Sequence, residues 1–143
     1  MGELGEKLRG AIEPSLEPGE QLLGTCIASQ VSTFKGRQVV IGTTDRRLIV
    51  QGMNRKFEHD GPPISITPER LAEAKADGAG DGWITVSAVI MSGAAVTLRL
   101  KTTDGEKLKL MMMKGTGPLA KLGGGEDQRT GLEAMGDWFA KNA

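Results

Sequence analysis

Three places in the sequence carry residue types able to do chemistry: the single His59, the single Cys26, and a glycine-rich run with an embedded lysine. His59 stands in Phe57-Glu58-His59-Asp60, where an imidazole between two carboxylates suits a general base or a metal ligand. A metal site needs three or four converging ligands, and this is the only His, with no thiol close to it in sequence. It reads as a solvated loop histidine. The run from Gly115-Thr116-Gly117 through Lys121 to Gly123-Gly124-Gly125 has the composition of a phosphate cradle. A P-loop, however, needs Gly-Lys followed by Ser or Thr after a strand, and here Leu122 follows Lys121. It reads as a linker. Nothing near Cys26 would lower its thiol pKa, and its alternating apolar context makes it a small buried hydrophobe. The expectation is a non-enzymatic chain with no catalytic residues, no metal and no cofactor.

Binding residues are the remaining possibility. Between Phe34 and Phe57, Lys35, Arg37, Arg46, Arg47, Arg55 and Lys56 face only Asp45, whereas residues 1–20 hold five Glu against Lys7 and Arg9. Lys35 and Arg37, with Arg55 and Lys56 as a rim, form a candidate site for an anionic lipid or phosphate ligand. At about 1 kcal/mol per basic residue near an anionic bilayer, three acting together give about 3 kcal/mol. A millimolar complex corresponds to about 4 kcal/mol, so charge alone would not anchor the chain. The Met111-Met112-Met113 run is the second candidate. On a strand Met111 and Met113 share one face and Met112 the other. The pair therefore offers either core packing or an adaptable apolar surface for a protein partner.

Composition sets the class. A chain of 143 residues has the size of one domain, and such a domain buries roughly 68–70% of its unfolded surface. With 38% apolar and 25% charged residues, it can build a core without disulfides. Lys plus Arg and Asp plus Glu balance at 18 each, and the chain has two Trp, three Phe and no Tyr. Neither a global attraction for nucleic acid nor a set of stacking aromatics is present, so nucleic acid is not an expected partner. The lone Cys cannot form an internal disulfide, the N-terminal residues lack a signal-peptide apolar core, and no run approaches the roughly 20 apolar residues of a membrane span. The expected compartment is the cytoplasm.

The elements that must hold these residues follow from period. Leu4, Leu8 and Ile12 repeat at helical spacing, predicting a short amphipathic helix within residues 1–17 that ends before Pro14. From Leu22 the period is two. Leu23, Thr25, Ile27 and Ser29 alternate with Leu22, Gly24, Cys26 and Ala28 to give a strand with a small-residue face. Gln38–Thr43 and Arg47–Gln51 form a hairpin around Thr44-Asp45-Arg46, and Ile64 with Ile66 is a short buried pair. Thr67 to Ala76 satisfies two readings. Thr at N-cap, Pro at N1 and strong helix formers favour a helix, while its place among strands favours a turn and then a strand; the strand is the reading adopted. Trp83 to Met91 is apolar on both faces and predicts a central strand. Val96, Leu98 and Leu100, then Leu108, Leu110 and Met112, flank Asp104-Gly105 as a hairpin with outward Arg99, Lys101, Lys107 and Lys109. Residues 114–129 read as a Gly-rich linker. Residues 130–141 read as a helix, with Thr130 and Glu133 at capping-box spacing and an apolar stripe of Leu132, Met135, Trp138 and Phe139. The whole predicts one domain over 1–143, mainly β: about seven antiparallel strands over 18–113 in a bent, partly open barrel capped by the last helix.

Three segments carry a resemblance. Val39 to Gly52 (VVIGTTDRRLIVQG), with its Thr-Asp-x-Arg-Leu hairpin, resembles the second and third strands of bacterial pleckstrin-homology-like domains. Ile64-Ser65-Ile66-Thr67-Pro68-Glu69-Arg70-Leu71 is similar to their following segment, and Pro18-Gly19-Glu20-Gln21-Leu22-Leu23 to their lead-in to the first strand. The resemblance spans roughly residues 18 to 140. It implies a seven-stranded bent barrel capped by a C-terminal helix, in a family typically non-enzymatic, some of whose members form symmetric oligomers. Eukaryotic pleckstrin-homology domains often bind phosphoinositides through Lys-then-Lys/Arg-x-Arg in the first inter-strand loop. This loop offers only Lys35-Gly36-Arg37. The implied function is an interaction module that binds protein partners or its own copies; the alternative is weak anionic-lipid or phosphate binding through that loop.

Overall fold

The alternation that begins at Leu22 continues through most of the chain and builds one antiparallel sheet, seen in a computed structural model describing residues 2–31, 36–54, 56–76, 80–92, 95–113 and 125–142. Seven strands have three or more residues: β1 (Leu22–Val31), β2 (Gly36–Thr44), β3 (Leu48–Met53), β4 (Ile64–Ile66), β5 (Leu71–Ala76), β7 (Ala95–Thr102) and β8 (Lys107–Met113). The two-residue β6 (Gly80–Asp81) completes the order β4-β3-β2-β1-β8-β7-β5-β6. The sheet is mainly β architecture curled into a half-barrel. Three helices accompany it: α1 (Gly2–Ile12), α2 (Trp83–Ser92) and α3 (Gly125–Lys141).

Period two divides the sheet into two faces. On the inner face Cys26, Val39, Ile41, Val50, Leu98, Leu100, Leu108, Leu110 and Met112 are buried with Val86 and Ile90 of α2 and Leu132, Met135, Trp138 and Phe139 of α3. Trp138 and Phe139 meet edge to face at 5.1 Å and 89°, a favoured arrangement of two ring quadrupoles. The stripe expected to close the barrel does so. On the outer face of β1–β3, Leu8, Ala11 and Ile12 of α1 cover Val40, Ile49 and Met53. The outer face of β5, β7 and β8 has no such cover among the described residues; its side chains are mostly charged.

α3 reaches the sheet where β1 and β8 part. The two strands pair at Ser29–Met111 and Gln30–Leu110. At Ile27 the side-chain amide of Gln128 takes the place of a strand, with Oε1 accepting the Ile27 N–H at 2.7 Å and Nε2 donating to the Ile27 carbonyl at 2.9 Å. The small-residue face of β1 permits this approach. A Cβ on Gly131 would lie 1.9 Å from the Thr25 carbonyl oxygen, and one on Gly24 would lie 3.0 Å from the Gly131 Cα.

Two expectations are corrected. Trp83–Ser92 is a helix, not a central strand. Val86 and Ile90 are buried while Ile84 and Ala88 are exposed, a pattern in which residues two apart face opposite ways. Apolar residues around the whole segment hid its period, and its length of ten residues suits a helix better than a strand. Packing settles it: buried Ser87 donates its hydroxyl proton to the Gly136 carbonyl of α3 at 2.8 Å. The last helix begins at Gly125 rather than 130, so the Thr130/Glu133 pair lies inside it and caps nothing. The strand reading of Thr67–Ala76 stands, as a 3-10 turn over Pro68–Arg70 followed by β5.

Candidate functional site

Of the candidate binding residues, Arg37 and Lys56 are described and Lys35 and Arg55 lie outside the described residues. Arg37 is engaged in structure. Its Nε donates to Gln30 Oε1 at 3.0 Å, its Nη1 donates to the Asp60 carbonyl at 2.9 Å, and the Asp60 carboxylate lies 3.8 Å away. It ties the start of β2 to β1 and to the loop after β3. Lys56 is exposed on that loop, where Asn54 Oδ1 accepts the backbone N–H of Lys56 and of Glu58, each at 2.9 Å. His59 is exposed, with Nε2 3.0 Å from the Ala11 carbonyl at the end of α1. Among the described residues, no group of three or more His, Cys, Asp and Glu is placed to hold a metal ion. Burial pushes the Cys26 thiol up to about 12, so at neutral pH it carries no thiolate. The glycine-rich run at 114–124 lies outside the described residues.

Arg47, one of the six cations between Phe34 and Phe57, is clamped. Its Nε and Nη2 donate to the two Glu20 carboxylate oxygens at 2.9 and 2.8 Å, Nη2 also donates to the Ser15 carbonyl at 2.7 Å, and Nη1 to Ser65 Oγ at 2.9 Å. The Thr44 hydroxyl donates to Glu20 Oε2 at 2.6 Å, and the Gln21 N–H reaches Asp45 Oδ1 at 3.0 Å. The Glu20 side chain is 0% exposed. The Arg47 guanidinium holds its carboxyl at about 2, against burial that works the other way, with help from the Thr44 hydroxyl and the Glu17 N–H. Arg47 in turn is raised, first by its hydrogen bonds to Glu20. Thus the Pro-Gly-Glu lead-in and the Thr-Asp-x-Arg-Leu hairpin, quoted separately from the sequence, meet in space as one lock.

The groove that can act on a ligand lies elsewhere, on the bare outer face. The register places Lys75 of β5 opposite Arg99 of β7 and Arg99 opposite Lys109 of β8. One row along, Glu73 stands opposite Lys101 and Lys101 opposite Lys107. All six line one open groove of about 620 Å³, a size that suits small ligands (about 300–1,000 Å³). Five basic residues and Glu73 therefore line the groove. Lys75, Arg99 and Lys107 are exposed, and Lys101 and Lys109 half-buried. Cross-strand neighbours are about 5 Å apart and successive same-face residues about 7 Å apart. Met111 continues the same face and is 46% exposed beside half-buried Thr97; Met112 is buried in the core, and the Met113 side chain is outside the described residues. The sequence held the signal for this site in the basic positions of the Asp104-Gly105 hairpin. What it lacked was the partner strand, since β5 joins β7 only after the chain has passed through α2.

Comparison with known proteins bears on the fold. No family model matches the chain, and no curated protein matches it in sequence. Among solved structures, the chain is similar to the hSac2 domain from human phosphoinositide phosphatase Sac2, at 9% identity and a TM-score of 0.54, over 97% of this chain and 79% of that one. It is also similar to the C-terminal domain of an unknown protein from Leishmania infantum, at 14% identity and a TM-score of 0.49, over 78% and 85% of the two chains. The likeness to the hSac2 domain is one of chain path alone. No described helix is long and apolar enough to cross a membrane.

Proposed function

We propose that this protein is a non-enzymatic, pleckstrin-homology-like interaction module that takes an anionic partner on the outer face of β5, β7 and β8. One observation carries the reading: two adjacent strands set Lys101, Lys107 and Lys109 on one exposed face and into one groove, in a chain whose formal net charge is zero. The pleckstrin-like part is supported by the curled sheet, its terminal helix and the Glu20–Thr44–Arg47 lock, with α2 as an addition to that plan. At about 1 kcal/mol per cation at an anionic surface, Lys101, Lys107 and Lys109 together give about 3 kcal/mol, short of a millimolar complex at about 4 kcal/mol.

The same geometry favours a foreign partner over a second copy. Met111 stands on the cationic face, so a two-fold contact centred on it would press two like-charged patches together. The loop bearing Lys56 is the weaker alternative, because Arg37 is spent on Asp60 and Gln30.

Retention on a cation exchanger at pH 7 and low salt tests the reading. A neutral protein with a focused patch is retained, and Lys101→Glu or Lys107→Glu elutes much earlier than Lys56→Glu. Failure of the native protein to bind, or an equal loss with Lys56→Glu, rejects it.

A further inference from the structure

Along β8 the outer face carries a short pattern of its own: Lys107, then Lys109, then Met111, at every second residue. Lys107 and Met111 are exposed and Lys109 is half-buried, while Leu108, Leu110 and Met112 between them are buried in the core. Lys101 stands beside Lys107 across the β7–β8 ladder. On the other flank Ser29 of β1 pairs with Met111, and alternation sets Val31, 36% exposed, on the same face. The result is a stripe in two parts, cationic toward the hairpin and apolar at the far end. Its limits are acidic. Exposed Asp104 and Glu106 stand past Lys107 at the turn, and exposed Glu73 stands opposite Lys101 on β5. A long polyanion laid along the stripe would run onto those two carboxylates at one end and onto Met111 at the other. A nucleic-acid strand would also need a stacking ring, and no aromatic side chain lines the groove among the described residues.

We infer that this stripe docks an extended acidic segment of another protein, one with carboxylates at two alternate positions and an apolar side chain two residues further on; the inference rests on the anionic-partner reading. An extended chain rises about 3.3 Å per residue, so its alternate side chains lie about 7 Å apart, the spacing of Lys107, Lys109 and Met111 themselves. Carboxylates at i and i+2 therefore meet the two lysines in step, and the side chain at i+4 reaches Met111 and Val31. In a helix the same three positions would point in different directions. Exposed pairs of lysine and carboxylate are weak, each worth about fivefold in affinity at most. The apolar position is what separates this segment from any other anion, and the unbranched thioether of Met111 adapts to the side chain it receives.

The full chain is titrated at low, constant ionic strength with the peptide acetyl-Leu-Ser-Glu-Ser-Glu-Ser-Leu-amide, followed by backbone amide shifts. Its sequence reads the same in both directions, so it presents the pattern whichever way it lies. The isomer acetyl-Leu-Ser-Ser-Glu-Glu-Ser-Leu-amide keeps the composition but sets its glutamates on opposite sides of an extended chain. A sulfated oligosaccharide and a thymidine trinucleotide, the latter of the same charge as the peptides, are titrated alongside. The first peptide shifts Lys107, Lys109 and Met111 and binds about three- to fivefold more tightly than its isomer. Lys107→Gln together with Lys109→Gln abolishes that preference. Met111→Ser weakens the first peptide and leaves its analogue with serine for both leucines unchanged; the variants keep the native circular dichroism spectrum. Equal binding of the two isomers, no effect of Met111→Ser, or tighter binding of the trinucleotide than of the first peptide overturns the acidic-segment inference. If the oligosaccharide still binds, the anionic-partner reading stands. No binding of any anion overturns both.

Discussion

Glu20 is a carboxylate with no exposed surface that nevertheless stays ionised, because Arg47 grips both its oxygens and Thr44 adds a third donor. The folded carboxyl titrates at about 2, against an ordinary value of 4.5. Its contribution to stability is therefore complete above about pH 4.5 and drains away as the pH falls toward 2. The size is on the order of 3 kcal/mol. Glu20→Gln should lose most of that at pH 7, and its urea midpoint should change much less than the native one between pH 5 and pH 3. Asp104 is also lowered, first by the Thr102 hydroxyl, so the comparison between native and variant isolates Glu20. Parallel pH curves would remove the lock. Arg47→Ala should cost more, about 3–5 kcal/mol, because it strands a buried charge. This lock was half legible. Both sequence segments stand out, but nothing in a linear reading shows that Glu20 and Arg47 bury each other.

At the scale of elements, α3 against β1 is the contact that closes the half-barrel. Alanine in place of a helical glycine normally gains up to about 1 kcal/mol. At Gly131 the new Cβ would meet the Thr25 carbonyl at 1.9 Å, a backbone contact that no rotamer relieves. Overpacking of this kind costs about 1–3 kcal/mol or more, so the clash outweighs the propensity gain. Gly131→Ala should lower the thermal midpoint by several degrees, while Gly10→Ala, with nothing within 4 Å, leaves it the same or higher. Equal midpoints for the two variants would contradict the docking geometry. β7 and β8 are legible because each has one wet face: Arg99, Lys101, Lys107 and Lys109 alternate with buried leucines. α2 was not, because Trp83 to Ser92 contains no charged residue to mark a solvent side. Gly125 to Arg129 was read as linker for the related reason that its glycine masks the helical start.

For the molecule as a whole, equal numbers of acids and bases conceal how they are distributed. The sequence pointed to the stretch between Phe34 and Phe57, where cations are dense along the chain. Folding consumes two of those: Arg47 in the lock and Arg37 on Gln30 and Asp60. The other basic face is assembled from the β7–β8 hairpin and from β5, which the chain leaves before α2, each strand carrying only two of the basic residues or fewer. Linear density points to the stretch between Phe34 and Phe57, while the period-two pattern puts Arg99, Lys101, Lys107 and Lys109 outward on β7 and β8, four of the five cations of the groove. Among the described residues, α1 covers the outer face of β1–β3 and not that of β5, β7 and β8.

Backbone amide shift mapping during titration of the full chain with a sulfated oligosaccharide tests the central claim most directly. Anion binding at the cationic face predicts saturable shifts concentrated on β5, β7 and β8, at Lys75, Arg99, Lys101, Lys107 and Lys109. Shifts confined to Arg37, Lys56 and their neighbours, or no saturable shifts at low salt, would contradict it.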